Sequence, residues 1–248
     1  MNLDRSSSTP LYIQLKDLLS NKIKTGELTP EQQIPSEREL GQEYNVSRIT
    51  VRQAINLAVN EGLLYRSHGK GTFVASPTIK QELTKINSFQ STLTQQCLVA
   101  STEIVKADTV LTDFQLSTLL HTKMMDKVAN LQLIGYGDML PIVFYDSFFP
   151  MDVGEQIIKA ARLEKEHDRP FSTLDLYGKI PDITPTHMEQ TFEAVLSDEY
   201  ISSFLRLKKT APIFKVTSIF YAGNQPIEYR TAYYKGDKYK FFITRTTS

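Results

Sequence analysis

The sequence has little cysteine, no tryptophan, no long apolar run and no excess of charge of either sign. The single Cys97 among 248 residues excludes an intramolecular disulfide and a cysteine-built zinc site, and it suits a reducing compartment, where we expect a buried, inert thiol. No stretch approaches the roughly 18 apolar residues of a membrane span, and the N-terminus lacks the basic and then apolar run of a signal peptide. We therefore expect a cytoplasmic protein without a membrane partner.

Charge is balanced over the whole chain, which has 28 basic and 28 acidic side chains. An anionic partner must therefore be held by a local arrangement of residues, because the summed charge of the protein does not attract it. Hydrophobic residues make up 41% of the chain and charged residues 23%, as in globular proteins. A chain of this length forms one large domain or two ordinary ones.

The N-terminal quarter of the chain predicts three helices. The first begins at Pro10, with Thr9 as its N-cap, and stops at Gly26. Its apolar residues recur at helical spacing and form one stripe: Leu11, Leu15, Leu18, Leu19 and Ile23.

Capping residues locate the second and third helices. Ser36 and Glu39 have the spacing of a reciprocal capping box. Ser47 precedes a helix that runs to about Asn60, with Gly62 as its stop. Because only residues 45 and 46 separate the two helices, the pattern predicts a helix-turn-helix. The expected buried side chains are Leu40 and Tyr44 in the second helix and Val51, Ala54, Ile55 and Ala58 in the third.

The exposed side of the third helix is basic. Arg48 and Arg52 are four residues apart and therefore lie on one side of its first half. Residues 45 to 72 contain four basic side chains and one acidic side chain, a local balance of plus three. In helix-turn-helix proteins this part of the second helix contacts base edges, and arginine can grip guanine with two hydrogen bonds. A solvated helix face with two incidental arginines is the alternative.

A short hairpin is predicted after the third helix. Residues 63–66 and 72–74 are strand-like, and residues 67–71, SHGKG, form a tip with little side-chain bulk. Such a tip can bring the backbone and a lysine close to phosphates or a minor groove. The tip lacks the spacing of a nucleotide-binding phosphate loop.

Taken together, the segment PSERELGQEYNVSRITVRQAINLAVNEGLLYRSHGKGTFV resembles the winged-helix DNA-binding domain of GntR-family bacterial transcription regulators, and the likeness extends back to TPLYIQLKDLL. The resemblance implies that double-stranded operator DNA is a partner. It places the following residues on positions that contact DNA in the family: Arg38, Arg48, Thr50, Arg52 and Gly69, with Ser47 and Lys70 as phosphate contacts.

A change of composition divides the chain. We predict a DNA-binding domain over residues 1–76, a polar linker over 77–87 and a second domain over 88–248. Strands are expected at 99–110, 127–134, 142–149, 213–221 and 228–234, and helices at 114–120, 153–161, 171–177 and 198–205. The predicted fold class is α+β in two domains, with a largely antiparallel sheet in the second.

The stretch NQPIEYRTAYYKGDKYKF resembles the closing motif of the UTRA domain, which follows the winged helix in the HutC branch of the GntR family. The resemblance implies a chorismate lyase-like fold, a dimerisation role and a pocket for a small molecule, such as a sugar, a sugar phosphate or another metabolite. The implied effector-binding residues are Ser88, Phe89 and Ser91 at a helix start, together with Tyr145, Ser172, Glu228 and Tyr234. Ordinary strand pairing is the alternative for Glu228 and Tyr234.

One departure from the family pattern concerns anion binding. Many members that bind sugar phosphates have two arginines spaced R-x-R, where this chain has Leu133 and Gly135. Tyr145 stands where a glutamate is frequent. The loss of two guanidinium groups removes bidentate grips for an anion. The sequence therefore favours a neutral or differently held ligand over a phosphate-dependent one.

No enzymatic site is predicted. The four histidines show no metal-ligand spacing, and no nucleophile elbow or dinucleotide fingerprint occurs. His187, Glu189 and Glu193 do not share a helix face, which indicates a solvated surface. We therefore expect no catalytic residues, no metal and no cofactor.

The combined prediction is a homodimeric, metabolite-responsive transcription regulator, most simply a repressor, that binds a near-palindromic operator. Two alternatives remain at this point. One is a metabolite-binding or enzymatic C-terminal module with an accessory DNA-binding domain. The other is an architectural protein that binds DNA of any sequence.

Overall fold

The computed structural model describes residues 3–75, 78–83, 88–96, 98–181 and 183–245. Cys97 and the predicted linker residues 77 and 84–87 lie outside these ranges. The chain forms two compact units, and the boundary falls between Thr78 and Ile79. Within the described ranges, no helix combines the length and hydropathy that a membrane span requires.

Unit 1 consists of three helices followed by a two-stranded hairpin. The helices are α1 (Leu11–Lys24), α2 (Glu37–Glu43) and α3 (Arg48–Asn60), and the strands are β1 (Leu64–Ser67) and β2 (Gly71–Val74). The prediction that Thr9 caps α1 is wrong, because Pro10 occupies the N-cap position and no side chain caps that end. The order of elements is that of a winged helix-turn-helix.

Local capping fixes where α2 and α3 begin. Ser36 Oγ accepts a hydrogen bond from the backbone N–H of Glu39, and the Glu39 carboxylate accepts one from the N–H of Ser36 at 2.7 Å. Ser47 caps α3 in the same way, through the N–H of Thr50 at 3.1 Å. These contacts satisfy backbone donors that have no partner inside the helix. The predicted capping box and the predicted cap of α3 are both confirmed.

The core of unit 1 follows the predicted apolar stripes. Leucines of α1 pack with the buried sides of α2, α3 and the hairpin, and burial of each aliphatic side chain contributes roughly 1.5 to 3 kcal/mol. The fully buried members are Leu15, Leu19, Leu40, Val51, Ala54, Ile55, Ala58, Leu64 and Val74. This packing leaves the opposite side of α3 to solvent.

Unit 2 is built on a six-stranded antiparallel sheet with the strand order β4-β5-β6-β9-β8-β7. Its strands are β4 (Ala100–Leu111), β5 (Lys127–Gly137), β6 (Leu140–Pro150), β7 (His187–Leu196), β8 (Pro212–Ala222) and β9 (Gln225–Lys235). Its helices are α4 (Phe89–Thr94), α5 (Phe114–Leu119), α6 (Met151–Glu166), α7 (Thr173–Tyr177) and α8 (Glu199–Leu205). The α+β class and the antiparallel sheet are as predicted.

Each face of the large sheet packs on different helices. On one face, alternate residues such as Leu131, Leu133 and Tyr145 join a large core with α4, α6 and α7. On the other face, Ile134 and Phe144 join a smaller core with α8. Successive side chains of a strand point to opposite faces, so β5 and β6 are buried on both sides. Strands β5 and β6 therefore lie at the centre of unit 2, between its two hydrophobic cores.

Two parts of the sequence prediction are corrected in unit 2. Part of the predicted linker is a strand, β3 (Ile79–Glu82), which pairs in parallel with a strand not predicted, β10 (Tyr239–Phe242). The segment containing His187, Glu189 and Glu193, for which the sequence predicted no element, is the edge strand β7. These three residues therefore do share a face, since a strand alternates with a period of two. All three are exposed, which agrees with the solvated surface that the sequence indicated.

Candidate functional site

The first half of α3 presents polar and basic side chains to solvent. Ser47 Oγ and Thr50 Oγ1 are 2.8 Å apart, and Ser47 is occupied as the helix cap. Arg38, at the start of α2, and Arg48 are exposed, and neither makes an ion pair within the part of the chain that is described. Two guanidinium groups of the predicted DNA-contacting set are therefore unpaired at the surface.

Arg52 is held by an acidic residue of α2. Its Nε and Nη2 donate to Glu37 Oε2 at 3.1 and 3.0 Å, and Arg66 Nη2 lies 3.7 Å from Glu37 Oε1. The hydrogen bond with Glu37 raises the pKa of Arg52. The balance of plus three counted over residues 45–72 omits Glu37, which folding brings against two of the four cations. Arg52 nevertheless stays exposed, with 64% of its side chain accessible.

The hairpin tip has the backbone geometry that favours glycine. Gly69 and Gly71 have φ angles of 71° and 128°, in the region that other residues rarely adopt. The Gln33 side chain lies against Gly71, and Gln33 Nε2 donates to the backbone carbonyl of Lys70 at 2.9 Å. Gln33 thus holds the backbone of the tip in place, while Gly69 and the Lys70 side chain remain exposed.

Unit 2 contains a cavity between the large sheet, α4, α7 and the β3–β10 pair. It encloses about 690 Å³ of space between atoms, part of it open to solvent. Four residues predicted to bind an effector line it: Phe89, Tyr145, Ser172 and Tyr234. Ser88, Ser91 and Glu228 do not line it. The structure therefore brings together four of the seven predicted residues.

Ser88 and Ser91 are engaged in the helix start itself. Ser88 Oγ caps α4 by accepting from the N–H of Ser91 at 2.9 Å. Ser172 Oγ and its N–H both donate to Asp175 Oδ2, at 2.8 and 2.7 Å. The same carboxylate accepts from the N–H of Phe89 at 3.4 Å. Asp175 therefore ties α4 to α7 at the cavity wall.

Glu228 lies behind the cavity wall and is fully buried. Its carboxylate accepts hydrogen bonds from three hydroxyl groups: Ser147 at 2.9 Å, Thr173 at 2.7 Å and Tyr177 at 3.1 Å. Burial, and next the negative charge of Glu228, raise the pKa of Tyr177 well above its ordinary value. A buried polar group needs hydrogen-bond partners, and these three hydroxyl groups hold the Glu228 carboxylate in a fixed position.

The sequence analysis missed Arg230, a buried cation on the cavity wall. Its side chain is 8% exposed and lies 4.0 Å from Glu228 Oε1. Nη1 donates to Thr173 Oγ1 at 2.9 Å, and the guanidinium stacks on Phe220 and Tyr145, 4.5 and 5.4 Å from their ring centroids. Its Nε is buried without a hydrogen-bond partner, which costs about 1 to 3 kcal/mol.

A period-two pattern in the sequence contained the signal for Arg230. Glu228 and Tyr234 were placed at the pocket by resemblance, and both have even numbers on one strand. Alternate residues of a strand share a face. Arg230 is therefore on the same face of β9 as the two residues that were chosen.

Three buried tyrosines form an aromatic wall. The rings of Tyr145 and Tyr234 meet edge to face with centroids 6.2 Å apart, and Tyr239 packs on Tyr234 at 4.5 Å. Burial raises the pKa of all three phenols. The phenols are neutral at physiological pH, and each can donate or accept a hydrogen bond.

The position of the absent R-x-R pair is filled. Leu133 is fully buried in the core. A Cβ atom at Gly135 would lie 2.6 Å from the Phe89 ring and 2.7 Å from Val143, closer than side-chain atoms approach one another. Phe89 therefore occupies the space that a side chain at position 135 would need. Arg230 reaches the cavity from a different strand.

Within the described ranges, no three His, Cys, Asp or Glu side chains converge as metal ligands would. The two units carry two kinds of surface instead. Unit 1 is a winged helix-turn-helix with exposed arginines on α3, and unit 2 is an α+β domain with a cavity that aromatic and polar side chains line. Together they define the class of one-chain transcription regulators that bind DNA and respond to a small-molecule effector.

Comparisons with known proteins agree with this class. The description "Bacterial regulatory proteins, gntR family" matches residues 11–74, and the UTRA domain matches residues 95–240. The chain belongs to the GntR family of transcription regulators, in its HutC branch with a UTRA domain. Members of this family are regulators rather than enzymes, so the enzymatic alternative is not supported.

Similar proteins cover almost the whole chain. The HTH-type transcriptional repressor NagR of Bacillus subtilis is 30% identical over 97% of this chain and 97% of its own length. The histidine utilization repressor of Pseudomonas putida is 22% identical over 93% of this chain and 90% of its own. The crystal structure of PhnF from Mycobacterium smegmatis superposes with a TM-score of 0.68 at 23% identity, covering 96% and 99% of the two chains. This last likeness shows the shared fold.

Proposed function

We propose that this regulator is a metabolite-responsive repressor that binds a near-palindromic operator as a cytoplasmic homodimer. The observation that carries the proposal is the division of tasks between the units. One unit exposes the unpaired Arg38 and Arg48 at the starts of two capped helices, and the other has a cavity with a buried cation on its wall. Relatives named as repressors support the direction of control.

DNA recognition is assigned to α3, the start of α2 and the hairpin tip. Arg48 and Arg52 bind base edges in the major groove, and Arg38, Ser47 and Thr50 add contacts around them. Gly69 and Lys70 bring the tip to the backbone or minor groove. Arg52 shares its guanidinium between Glu37 and the DNA, since Glu37 already occupies its Nε and Nη2.

Effector control is assigned to the cavity of unit 2. The cavity combines aromatic side chains with a few polar groups, as small-molecule sites do. A ligand can change DNA affinity only if it binds the DNA-free and DNA-bound states differently. Half-sites about one helical turn apart, roughly 34 Å, must both be reached by the dimer. A ligand that disfavours this spacing therefore weakens operator binding.

Selection of duplex DNA from a random pool tests the proposal. We expect the full chain to enrich a near-palindromic sequence and to bind it with two protomers per duplex, as measured by analytical ultracentrifugation. Addition of a small-molecule extract should reduce the affinity for the enriched duplex. Enrichment of no sequence would contradict the proposal and favour a sequence-independent DNA binder. One protomer per duplex would contradict the dimer.

A further inference from the structure

We propose that the effector of this chain carries a single carboxylate and that Arg230 binds it. The inference rests on the proposed function and deepens it, because it names the chemical class of ligand that the cavity takes. It begins from the one buried cation on the cavity wall. Arg230 lies on β9 between Glu228 and Tyr234, and its side chain is only 8% exposed.

One edge of the Arg230 guanidinium lacks a hydrogen-bond partner. Nη1 already donates to Thr173 Oγ1 at 2.9 Å, and the faces of the group stack on Phe220 and Tyr145. Nε has no partner among the described residues. Nε and Nη2 form the edge from which arginine donates two parallel hydrogen bonds to a carboxylate. Arg230 lines the cavity, and its Nε is buried when no ligand is bound. A ligand carboxylate that reaches this edge would satisfy a donor that the folded protein leaves unsatisfied.

The charge around the cavity favours one negative charge over two. Arg230 is the one cation among the residues that line the described cavity, and Glu82 also lines it. Behind the wall, the Glu228 carboxylate lies 4.0 Å from Arg230 Nη1. A ligand dianion would meet one guanidinium whose charge is already shared with Glu228. A monoanion matches the single cation, because like charges in a poorly solvated site repel strongly.

The space for a second anion grip is closed. Leu133 faces the core, and the Phe89 ring fills the position beside Gly135. A phosphate would therefore have no further guanidinium from β5. This geometry separates the proposal from a sugar phosphate site, in which two or more cations share the anion.

The remainder of the cavity suits a body that has both an apolar part and polar groups. Its wall combines aromatic rings, such as Phe89, Tyr145 and Tyr234, with the polar side chains of Thr92 and Gln190. The phenols are neutral at physiological pH, and burial raises their pKa further, so they do not repel an anion. The chemical class is thus a small organic monocarboxylate whose ring or chain packs on tyrosine and phenylalanine.

Binding of matched probes to the full chain tests this inference. The probes are phenylacetate, its uncharged isostere phenylacetamide, phenyl phosphate and glucose 6-phosphate, each titrated to tens of millimolar and followed by NMR line broadening. We expect phenylacetate to bind about tenfold more tightly than phenylacetamide and more tightly than either phosphate. Equal binding of acid and amide, tighter binding of a phosphate, or no binding of phenylacetate would overturn the inference.

Variants locate the preference. Arg230→Gln should abolish the advantage of the acid over the amide, and Arg230→Lys should retain part of it, because lysine keeps the charge without the two-donor edge. The matched control is Arg206→Gln, which removes an exposed guanidinium of unit 2 outside the cavity. Circular dichroism without ligand checks that each variant is folded. An acid preference that survives in Arg230→Gln would also overturn the inference.

The same samples separate this inference from the proposed function. Binding to the selected duplex is measured for the wild type and for Arg230→Gln without ligand. Intact, sequence-specific DNA binding together with no carboxylate preference would refute the ligand class alone. Loss of sequence-specific DNA binding by the wild type would refute the proposed function instead.

Discussion

Arg52 and Arg230 are two arginines beside a glutamate in opposite surroundings. Arg52 is 64% exposed, and it donates to Glu37 at 3.0 Å from a surface helix. Arg230 is 8% exposed, beside a Glu228 with no solvent contact. Exposed ion pairs contribute roughly 0 to 1 kcal/mol, whereas removal of one partner from a buried pair costs about 3 to 5 kcal/mol.

The two surroundings determine which arginine can take a new binding partner. The Glu37–Arg52 pair is exposed and contributes little to stability, so Arg52 can share its guanidinium with a base edge at little cost. Arg230 is bound to the fold through Thr173 and Glu228, so it stays in place and the ligand must come to it. The first arrangement suits recognition of a large external polyanion, and the second suits selection of one small molecule.

Alkaline pH should have the largest effect on stability, and the effect should fall on unit 2, which contains all five of the tyrosines concerned. Burial raises the pKa of Tyr136 and Tyr233 to about 12, and it raises those of Tyr145, Tyr177 and Tyr239 well above their ordinary value. The unfolded chain ionises near pH 10, so stability is complete below pH 10 and is lost as pH rises towards 12. The five groups act together, and the summed loss should exceed that of any single substitution.

Phenolate absorbance and far-ultraviolet circular dichroism, recorded during one alkaline titration, check this expectation. The buried tyrosines should ionise in a single cooperative step that coincides with the loss of strand signal. Gradual ionisation near pH 10 with the sheet intact would show that these phenols are not protected by the fold.

Glu228→Ala should destabilise unit 2 by about 3 to 5 kcal/mol, because it leaves Arg230 without its counter-charge and three hydroxyl groups without their acceptor. Urea unfolding of the full chain measures the change. Glu228→Gln is the control, since it keeps an acceptor oxygen and should cost less. A loss below about 1 kcal/mol for the alanine variant would show that the buried pair is not essential.

Gly135→Ala tests whether the space of the absent arginine pair is filled. The new methyl group would overlap the Phe89 ring and Val143, and such overpacking costs about 1 to 3 kcal/mol. Gly178→Ala is the matched control, because its nearest heavy atom would be 3.8 Å away. Equal stability of the two variants in urea would mean that the Phe89 ring moves aside at little cost in free energy.

Arg52→Ala should weaken binding to the selected duplex by about 1 to 3 kcal/mol and relax base preference at one position. The stability of unit 1 should change by less than about 0.5 kcal/mol, because the ion pair is exposed. Fluorescence anisotropy with selected and random duplexes measures the affinities, and Arg206→Ala is the charge-matched control. Equal losses on both duplexes would refute base recognition by Arg52.

Ser36→Ala should give the smallest effect, a loss of about 1 kcal/mol in unit 1. The substitution removes the acceptor for the N–H of Glu39 at the start of α2. Hydrogen exchange of α2 amides measures the loss. Ser20→Ala, inside α1, is the control and should be neutral or slightly stabilising. No change for Ser36→Ala would show that water replaces the cap.

The features predicted best from the sequence are those that depend on contacts between residues close together in the chain. Ser36 and Glu39 are three residues apart, and Ser47 lies three residues before Thr50, so each cap could be recognised without knowledge of the fold. The buried stripe of α3 is likewise confirmed. Arg52 shows the limit of such counting, because Glu37 reaches it from another helix, 15 residues away.

The missed elements depend on distant partners. Strands β3 and β10 are four residues each and pair across most of the length of unit 2. The edge strand β7 is largely exposed, so it has little apolar alternation to reveal it. Arg230 was missed for a different reason. An arginine in a sequence is taken as exposed unless something indicates a buried partner, and its partners Thr173 and Phe220 lie on other elements.

The early position of β3 determines how unit 2 can be cut from the chain. The boundary predicted from composition would start a fragment at Ser88, and that fragment would lack Ile79–Glu82. It would leave β10 without its parallel neighbour and remove Gln81 and Glu82 from the cavity wall. A recombinant ligand-binding fragment should therefore begin no later than Ile79. A shorter fragment that fails to bind a compound would report on the truncation and not on the compound.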